Sequence, residues 1–477
     1  MTAQAVRVRD LLLRVATFLR PHWLFLALAA VGTVLRALAW IAYRPALMYP
    51  DSIAYLQNAS HLQPYKTRPL AYPALLRILP DLHDLALIPA VQHLMGLGIA
   101  LLLYALLLRL GVPRWGAALA VAPVLLDAYL INIEEYILSE TLFHLLIVGA
   151  VVALLWHRRP GIGAATLAGL LLAVATMTRA SGQFVIVPAL LAVLFLRAGR
   201  WPVLALVLAF AAPVVAYASW FDSVNHTFGI SSYGGQFLYA RVAPFADCSK
   251  FKVPADERVL CPTQPVGQRP TSAGSPVEFF MWDRQNSSVY QITPENRRTK
   301  LAGAFAKRVI LHQPFKYLRT VAHDFLRGFA PIRTRHHGEL PIARWQFQTH
   351  YPHISPFDNK EIRLHGGTYG KVRPRIGRFL RSYQRFGFIP GPLLAASLLL
   401  GIAAMLGMRR ARRSGLRSAA FLFTAMAVLI FGVAVAANQF TWRYQLILIV
   451  LLPPAGALAL TAFLRDRSGS SHTSALA

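Results

Sequence analysis

The chain has 477 residues, of which 56% are apolar and only 14% are charged. Because soluble domains carry charged side chains at about 25% of positions, this composition excludes an ordinary soluble enzyme and indicates an integral membrane protein. Lys and Arg total 49 against 20 Asp and Glu, a formal net charge of +29. A nucleic-acid-binding protein would gather such charge on one polar face. Here the basic residues are spread over the polar segments that separate the apolar runs, so we expect no nucleic-acid partner.

Apolar runs approaching or exceeding the length that crosses a bilayer, about 17–25 residues, recur along the chain. They predict ten membrane-spanning helices, at about residues 23–43, 86–108, 115–132, 137–156, 162–178, 183–198, 201–220, 388–408, 418–437 and 442–464. The expected fold class is therefore an all-α polytopic membrane protein.

The basic residues between these runs predict the orientation of the chain. With a cytosolic N-terminus, the inner segments hold seventeen Arg residues, whereas the short outer segments hold six Lys and Arg residues. Positive charge favours the cytosolic side of short loops. We therefore expect a multi-pass protein of the plasma membrane with both termini in the cytosol.

Residues 221–387 form a long polar insertion, which this topology places outside the cytoplasm. It divides the chain into an N-terminal transmembrane module (1–220), whose outer loops carry the candidate site, and a C-terminal transmembrane module with a cytosolic tail (388–477). The insertion is rich in Pro, Gly and aromatic residues, so we expect mixed structure there. Since an extracytoplasmic segment is oxidising in most settings, Cys248 and Cys261 are predicted to form a disulfide.

Seven of the nine acidic residues outside the insertion fall in or beside the first two outer loops. Asp51 follows the first predicted span, in Met48-Tyr-Pro-Asp-Ser-Ile-Ala-Tyr55. One interpretation is a helix N-cap, since Asp is favoured there. The other is a general base, because a carboxylate at a low-dielectric boundary can have the raised pKa that suits a base at neutral pH.

The second outer loop contains Glu134, Glu135 and Glu140, and Glu140 falls in the first turn of the fourth predicted span. A negative charge at that position suits the helix dipole. Such a cluster of carboxylates could also bind a divalent cation through oxygen ligands.

Basic residues on the outer side run against the positive-inside trend. Arg179 and Arg443 lie at outer helix ends, and Lys66 and Arg68 lie in the first outer loop. Guanidinium groups bind phosphate through paired hydrogen bonds, whereas the alternative is that these side chains reach toward lipid headgroups.

These segments together resemble the GT-C superfamily of polytopic glycosyltransferases, in particular the protein mannosyltransferase, aminoarabinose transferase and RgtA/B/C/D-like group. The resemblance covers about residues 23–220 and 388–464. Four motifs carry it: Pro-Asp-Ser-x-x-Tyr at Asp51, Arg-Pro-x-x-Tyr-Pro at 68–73, Ser-Glu-Thr-Leu-Phe at 139–143, and Arg443-Tyr444.

The resemblance implies a glycosyltransferase that takes a sugar from a polyprenyl-phosphate carrier and transfers it, with inversion, to an envelope acceptor at the outer membrane face. It implies that Asp51 is the catalytic base, that Glu135 and Glu140 take part in catalysis, and that Arg179 and Arg443 bind the carrier phosphate. Arg68, Tyr72 and Tyr444 lie in the same motifs and are expected to bind substrate. Glu135 and Glu140 are also the candidate ligands for a divalent cation, Mg²⁺ or Mn²⁺.

Two departures from the family pattern leave one assignment open. Lys/Arg-Pro-Pro is replaced by Arg68-Pro69-Leu70, and the second loop has three Glu residues rather than an Asp-Glu pair. The choice between Glu134 and Glu135 therefore stays open.

Two other functions remain as alternatives: a transporter or flippase of polyprenyl-linked glycans, and a non-catalytic envelope scaffold.

Overall fold

The computed structural model describes residues 17, 19–79, 84–352, 360, 362–365, 370–408, 411 and 415–464, and it is predominantly helical. Most of the predicted N-terminal tail, the predicted C-terminal tail and most of the arginine-rich segment 409–417 lie outside the described residues. Ten α-helices lie in the described residues of the N-terminal part. They are α1 (Trp23–Ala42), α2 (Pro50–His61), α3 (Ala71–Ile78), α4 (Leu87–Arg109), α5 (Arg114–Leu126), α6 (Ala128–Glu135), α7 (Glu140–Leu155), α8 (Ile162–Thr178), α9 (Ile186–Phe195) and α10 (Arg200–Asn225).

Eight more helices with described bounds belong to the insertion and to the C-terminal part. They are α11 (Gly234–Val242), α12 (Pro276–Trp282), α13 (Glu295–His312), α14 (Pro314–Arg327), α15 (Pro374–Tyr383), α16 (Gly391–Met405), α17 (Arg417–Ala437) and α18 (Leu446–Leu464). Five helices in the described part of the chain, α1, α4, α10, α17 and α18, are long and apolar enough to cross a membrane on their own. Shorter apolar helices occupy the other predicted runs, and the all-α polytopic fold is confirmed.

The third predicted span is a bent pair rather than one straight helix. Helices α5 and α6 meet at Asp127 with a bend of 45°. The Asp127 carboxylate accepts hydrogen bonds from the backbone N–H groups of Tyr129 and Leu130, at 2.9 and 3.4 Å, and so caps α6. Arg333 of the insertion pairs with the same carboxylate. A new helix therefore begins inside the apolar run.

Close packing of small residues joins the shorter helices to their neighbours. Gly169 of α8 lies against the backbone of α10, and a Cβ atom there would stand 2.6 Å from the carbonyl oxygen of Leu206. Helices in membranes gain contact through such small residues, because lipid offers no hydrophobic driving force between them. In the C-terminal part, α18 is the most buried of the long helices and packs against α16 and α17.

The described residues of the insertion form short helices separated by long loops, with very little strand. Its only described strand, Lys371–Val372 (β2), pairs antiparallel with Tyr43–Arg44 (β1), directly after α1. Helices α11 to α13 enclose a separate apolar core, which includes Tyr239 and Phe305. The predicted disulfide between Cys248 and Cys261 is present beside this core.

Candidate active site

Five charged side chains from distant parts of the chain meet in one largely buried group, which we call the arginine–carboxylate cluster: Asp51, Arg68, Glu140, Arg179 and Arg443. Asp51 accepts hydrogen bonds from Arg68 and, at 2.9 Å, from Nη1 of Arg443. One oxygen of Glu140, Oε1, accepts from both Arg179 and Nε of Arg443. The sequence motifs therefore predicted which residues gather, although Asp51 and Arg443 are 392 positions apart.

The local structure explains how each member reaches the cluster. Asp51 lies in the first turn of α2, where Tyr49, not Asp51, is the N-cap. The N-cap interpretation of Asp51 is therefore wrong. Glu140 is the first residue of α7, as expected, and Arg179 follows the last residue of α8. Helix ends thus direct these side chains to one place.

Charge in the cluster does not balance. Three guanidinium groups face two carboxylates, so the cluster carries one net positive charge when all five groups are ionised. The second oxygen of Glu140, Oε2, is buried and makes no hydrogen bond to a described residue. An excess cation in a buried site favours an anionic ligand.

The pKa of Asp51 differs from the sequence-based expectation. Burial acts to raise it, but the guanidinium groups of Arg68 and Arg443 outweigh burial and hold the pKa well below its ordinary value. The expected raised pKa is therefore wrong for this arrangement. Asp51 is a weak base as long as both arginines stay bound to it.

Hydroxyl groups of Ser139, Tyr55 and Tyr72 lie beside the arginine–carboxylate cluster. The Ser139 hydroxyl lies 2.9 Å from the Tyr55 hydroxyl and accepts a hydrogen bond from Arg179 at 3.3 Å. Tyr72 is fully buried, packs against the Tyr55 ring and donates its hydroxyl proton to Gln92 at 2.8 Å. In this structure, Tyr72 supports Tyr55 and is already hydrogen-bonded. Its expected contact with substrate stays a prediction.

Tyr444 follows Arg443 in the segment before α18. Its hydroxyl accepts a hydrogen bond from Nδ2 of Asn438 at 3.1 Å. The backbone N–H of Tyr444 also donates to the carbonyl of Thr441 at 2.9 Å. These bonds fold the segment that presents Arg443, while a substrate contact of Tyr444 stays a prediction.

A second buried group lies apart from the first, and we call it the His93 cluster: Arg36, His93, Glu134 and Glu135. Arg36 donates two hydrogen bonds to Glu134, both at 2.8 Å. His93 bridges the two carboxylates, with Nδ1 at 2.8 Å from Glu134 and Nε2 at 2.9 Å from Glu135. Glu135 thus contacts His93, whereas Glu140 contacts the arginines.

Sequence reasoning missed Arg36 and His93. The signal was present, because Arg36 is an arginine inside an apolar run, and such residues need a buried partner. Arg36 also donates to the carbonyl oxygens of Val124 and Leu125, at 3.0 and 2.8 Å, close to the bend between α5 and α6. The His93 cluster therefore stabilises the helix break beside the loop that was predicted to be the second outer loop.

The candidate cation ligands, Glu135 and Glu140, lie in these two different clusters. Among the described residues, no group of three or more His, Cys, Asp or Glu side chains is arranged to bind a metal ion. Glu135 Oε1 and Glu140 Oε2 are each buried without a hydrogen bond to a described residue. A divalent cation held by these two carboxylates stays a prediction.

The insertion also reaches the arginine–carboxylate cluster. The Arg443 guanidinium lies 5.5 Å from the centre of the Tyr49 ring and 5.6 Å from that of Trp345. Trp345 follows Arg344 in the insertion, and its indole N–H donates to the Thr441 hydroxyl at 2.9 Å. The insertion therefore covers one side of the arginine–carboxylate cluster through Trp345.

Comparison with known protein families gives one match. Residues 80–228 match the sequence model of the dolichyl-phosphate-mannose-protein mannosyltransferase family. The matched part includes Glu140 and Arg179 but ends well before Arg443, and it begins after Asp51. Comparison with curated proteins and with solved structures gives no significant match.

The match covers less than half of the chain, and the polytopic helical fold agrees with it. The family is a member of the GT-C superfamily, so the resemblance found in the sequence motifs is confirmed. Together, the match and the fold support a membrane glycosyltransferase similar to those of the GT-C superfamily.

Proposed function

We propose that the protein transfers a sugar from a polyprenyl-phosphate carrier to a hydroxyl group of an envelope acceptor at the outer face of the plasma membrane. The observation that carries the proposal is the net positive charge of the arginine–carboxylate cluster, with three guanidinium groups against two carboxylates. A lipid phosphate supplies the missing negative charge. Its polyprenyl chain stays in the bilayer beside the apolar helices.

The proposed reaction is a single displacement with inversion. Asp51 takes the proton of the acceptor hydroxyl, and the hydroxyl oxygen forms a bond to the anomeric carbon. The bond between that carbon and the phosphate oxygen breaks, and its electron pair stays on the lipid phosphate. Arg179 and Arg443 stabilise the negative charge that develops there.

Phosphate binding also prepares the base in this proposal. Arg68 and Arg443 hold Asp51 ionised and weakly basic when no other anion is present. When the phosphate takes over hydrogen bonds of Arg443, the Arg443 guanidinium neutralises Asp51 less. The pKa of Asp51 then rises toward the value of an ordinary carboxylate. The base therefore gains strength when the donor is bound.

The test is a transfer assay on membranes that contain the protein, with a panel of radiolabelled polyprenyl-phosphate sugars. We expect the wild type to transfer one of these sugars and Asp51→Asn to lose at least about 100-fold in rate, as general-base catalysis contributes that much. Asp222→Asn, an exposed aspartate at the end of α10, is the matched control and should match the wild type. Transfer by Asp51→Asn at the wild-type rate would overturn the assignment of the base, and movement of a polyprenyl-linked glycan without a new glycosidic bond would favour a transporter.

A further inference from the structure

Glu278 of α12 is an acidic residue that the sequence did not single out. Its Oε1 accepts a hydrogen bond from Nε2 of Gln439 at 2.8 Å, and Gln439 belongs to the same segment as Arg443. In the described part of the chain, Glu278 forms no ion pair, and it is only half-buried. Unlike Asp51, whose two oxygens both accept hydrogen bonds from arginines, this carboxylate therefore keeps an oxygen available.

Arg344 and Tyr49 complete a group around this carboxylate. The Tyr49 ring lies 5.5 Å from the Arg443 guanidinium, and burial raises the pKa of its hydroxyl, with smaller effects from the charges of Asp51, Arg443, Arg344 and Glu278. Arg344 forms no ion pair with a described residue and is half-buried. The Tyr49 ring stands 5.0 Å from the ring of Trp345, the residue after Arg344.

Burial raises the pKa of the Glu278 carboxyl, with Arg344 acting to lower it and Asp51 to raise it further. The two carboxylates are thus close enough to affect each other, although they come from the insertion and from α2. Asp51 is neutralised by arginines, whereas Glu278 has only an amide as its partner. A ligand with hydroxyl groups could donate hydrogen bonds to the Glu278 carboxylate.

We propose that Tyr49, Glu278 and Arg344 form the binding site for the acceptor and that the acceptor is a sugar. A carboxylate accepts hydrogen bonds, a guanidinium donates them and a phenol does both. Neighbouring hydroxyl groups of a sugar ring match that set, because each can donate to Glu278 and accept from Arg344. A serine or threonine side chain offers one hydroxyl group, which the transfer itself would use.

This inference rests on the proposed function, so its test separates binding of the acceptor from cleavage of the donor. The probes are the polyprenyl-phosphate sugar that the wild type accepts, a panel of n-octyl glycosides, and a peptide that contains Ser and Thr. We expect transfer to an octyl glycoside. In Glu278→Gln and Arg344→Gln, the KM for that glycoside should rise at least tenfold, while the KM for the donor and the slow hydrolysis of the donor by water stay unchanged.

Asp256→Asn and Arg258→Gln are the matched controls, since both residues are exposed in the same insertion. Both controls should keep the wild-type KM for the glycoside. An unchanged KM in Glu278→Gln, or wild-type transfer to the peptide and to none of the glycosides, would overturn the acceptor site. The proposed function fails by a different result, namely that the wild type cleaves no donor at all.

Discussion

Arg443 binds both carboxylates of the arginine–carboxylate cluster at once. Its Nη1 donates to Asp51 and its Nε to Glu140. A phosphate that binds Arg443 must therefore compete with carboxylates that already occupy the guanidinium group. The carboxylates keep the arginines in position, and they also weaken the site for any other anion.

This competition predicts an unusual effect of Glu140→Gln on binding. With one carboxylate neutralised, three guanidinium groups face a single negative charge, so the variant should unfold at a lower temperature. The same variant should bind polyprenyl phosphate several-fold more tightly. Thermal unfolding in detergent, with and without polyprenyl phosphate, measures both effects.

The control for this experiment is Arg443→Gln, which should bind polyprenyl phosphate more weakly than the wild type. If Glu140→Gln bound the lipid more weakly as well, Glu140 would contact the donor itself. The competition between carboxylate and phosphate would then be excluded.

The lowered pKa of Asp51 predicts how stability depends on pH. A carboxyl group whose pKa is lower in the folded state than its ordinary value of 3.8 stabilises the fold above that value. This contribution is lost only as the pH falls through the lower, folded-state pKa. The difference in unfolding temperature between the wild type and Asp51→Asn should therefore be constant between about pH 5 and pH 8 and should shrink only below about pH 4. A difference that changes near neutral pH would contradict the ion pairs at Asp51.

At the scale of elements, the bend between α5 and α6 depends on a side chain from α1. Arg36 binds the carbonyl oxygens of Val124 and Leu125 and, at the same time, the carboxylate of Glu134. Gly96 of α4 lets Glu134 approach, because a Cβ atom at this position would stand 2.1 Å from Glu134 Oε1. Four helices, α1, α4, α5 and α6, are thus joined around one buried ion pair.

Arg36→Met should therefore destabilise the protein by about 3–5 kcal/mol, since it leaves Glu134 buried without its cation. The double variant Arg36→Met with Glu134→Gln should recover much of this loss, because no unpaired charge remains. Unfolding by denaturant in detergent would measure both. A double variant that is less stable than Arg36→Met alone would show that Glu134 is stabilised mainly by His93.

The apolar runs predicted where the helices lie, because the length of a run and its flanking polar residues are local properties. The bend at Asp127 was missed, since the run 115–132 reads as one apolar segment and the residues that stabilise the break come from α1 and the insertion. Glu278 was missed for a similar reason. Nothing near it in the sequence indicates that its hydrogen-bond partner is Gln439, 161 positions later, in the segment that presents Arg443.

At the scale of the site, the motifs predicted the members of the arginine–carboxylate cluster but not their pairing. The residue types and their common side of the membrane pointed to Asp51, Glu140 and Arg443. The partners of Asp51 decide the direction of its pKa shift, and they become visible only when segments far apart in the chain are brought together. Burial alone would have given the opposite direction.

For the whole molecule, function depends on which side of the membrane the cluster faces. The cluster lies at the ends of α7 and α8 that are opposite the loop joining them, and the insertion packs over it. If the short arginine-rich loops are cytosolic, then the cluster, the insertion and the disulfide are all on the outer side. The acceptor would then arrive from the envelope.

Cysteine labelling tests this orientation cleanly, because both cysteines of the chain are in the disulfide. Arg297→Cys lies at an exposed position of the insertion, and Arg158→Cys lies at an exposed position between α7 and α8. We expect a membrane-impermeant maleimide to label Arg297→Cys in intact cells and to label Arg158→Cys only after permeabilisation. The wild type, which has no free thiol, should stay unlabelled under both conditions. The reverse pattern would put the arginine–carboxylate cluster on the cytosolic side, where an envelope acceptor could not reach it.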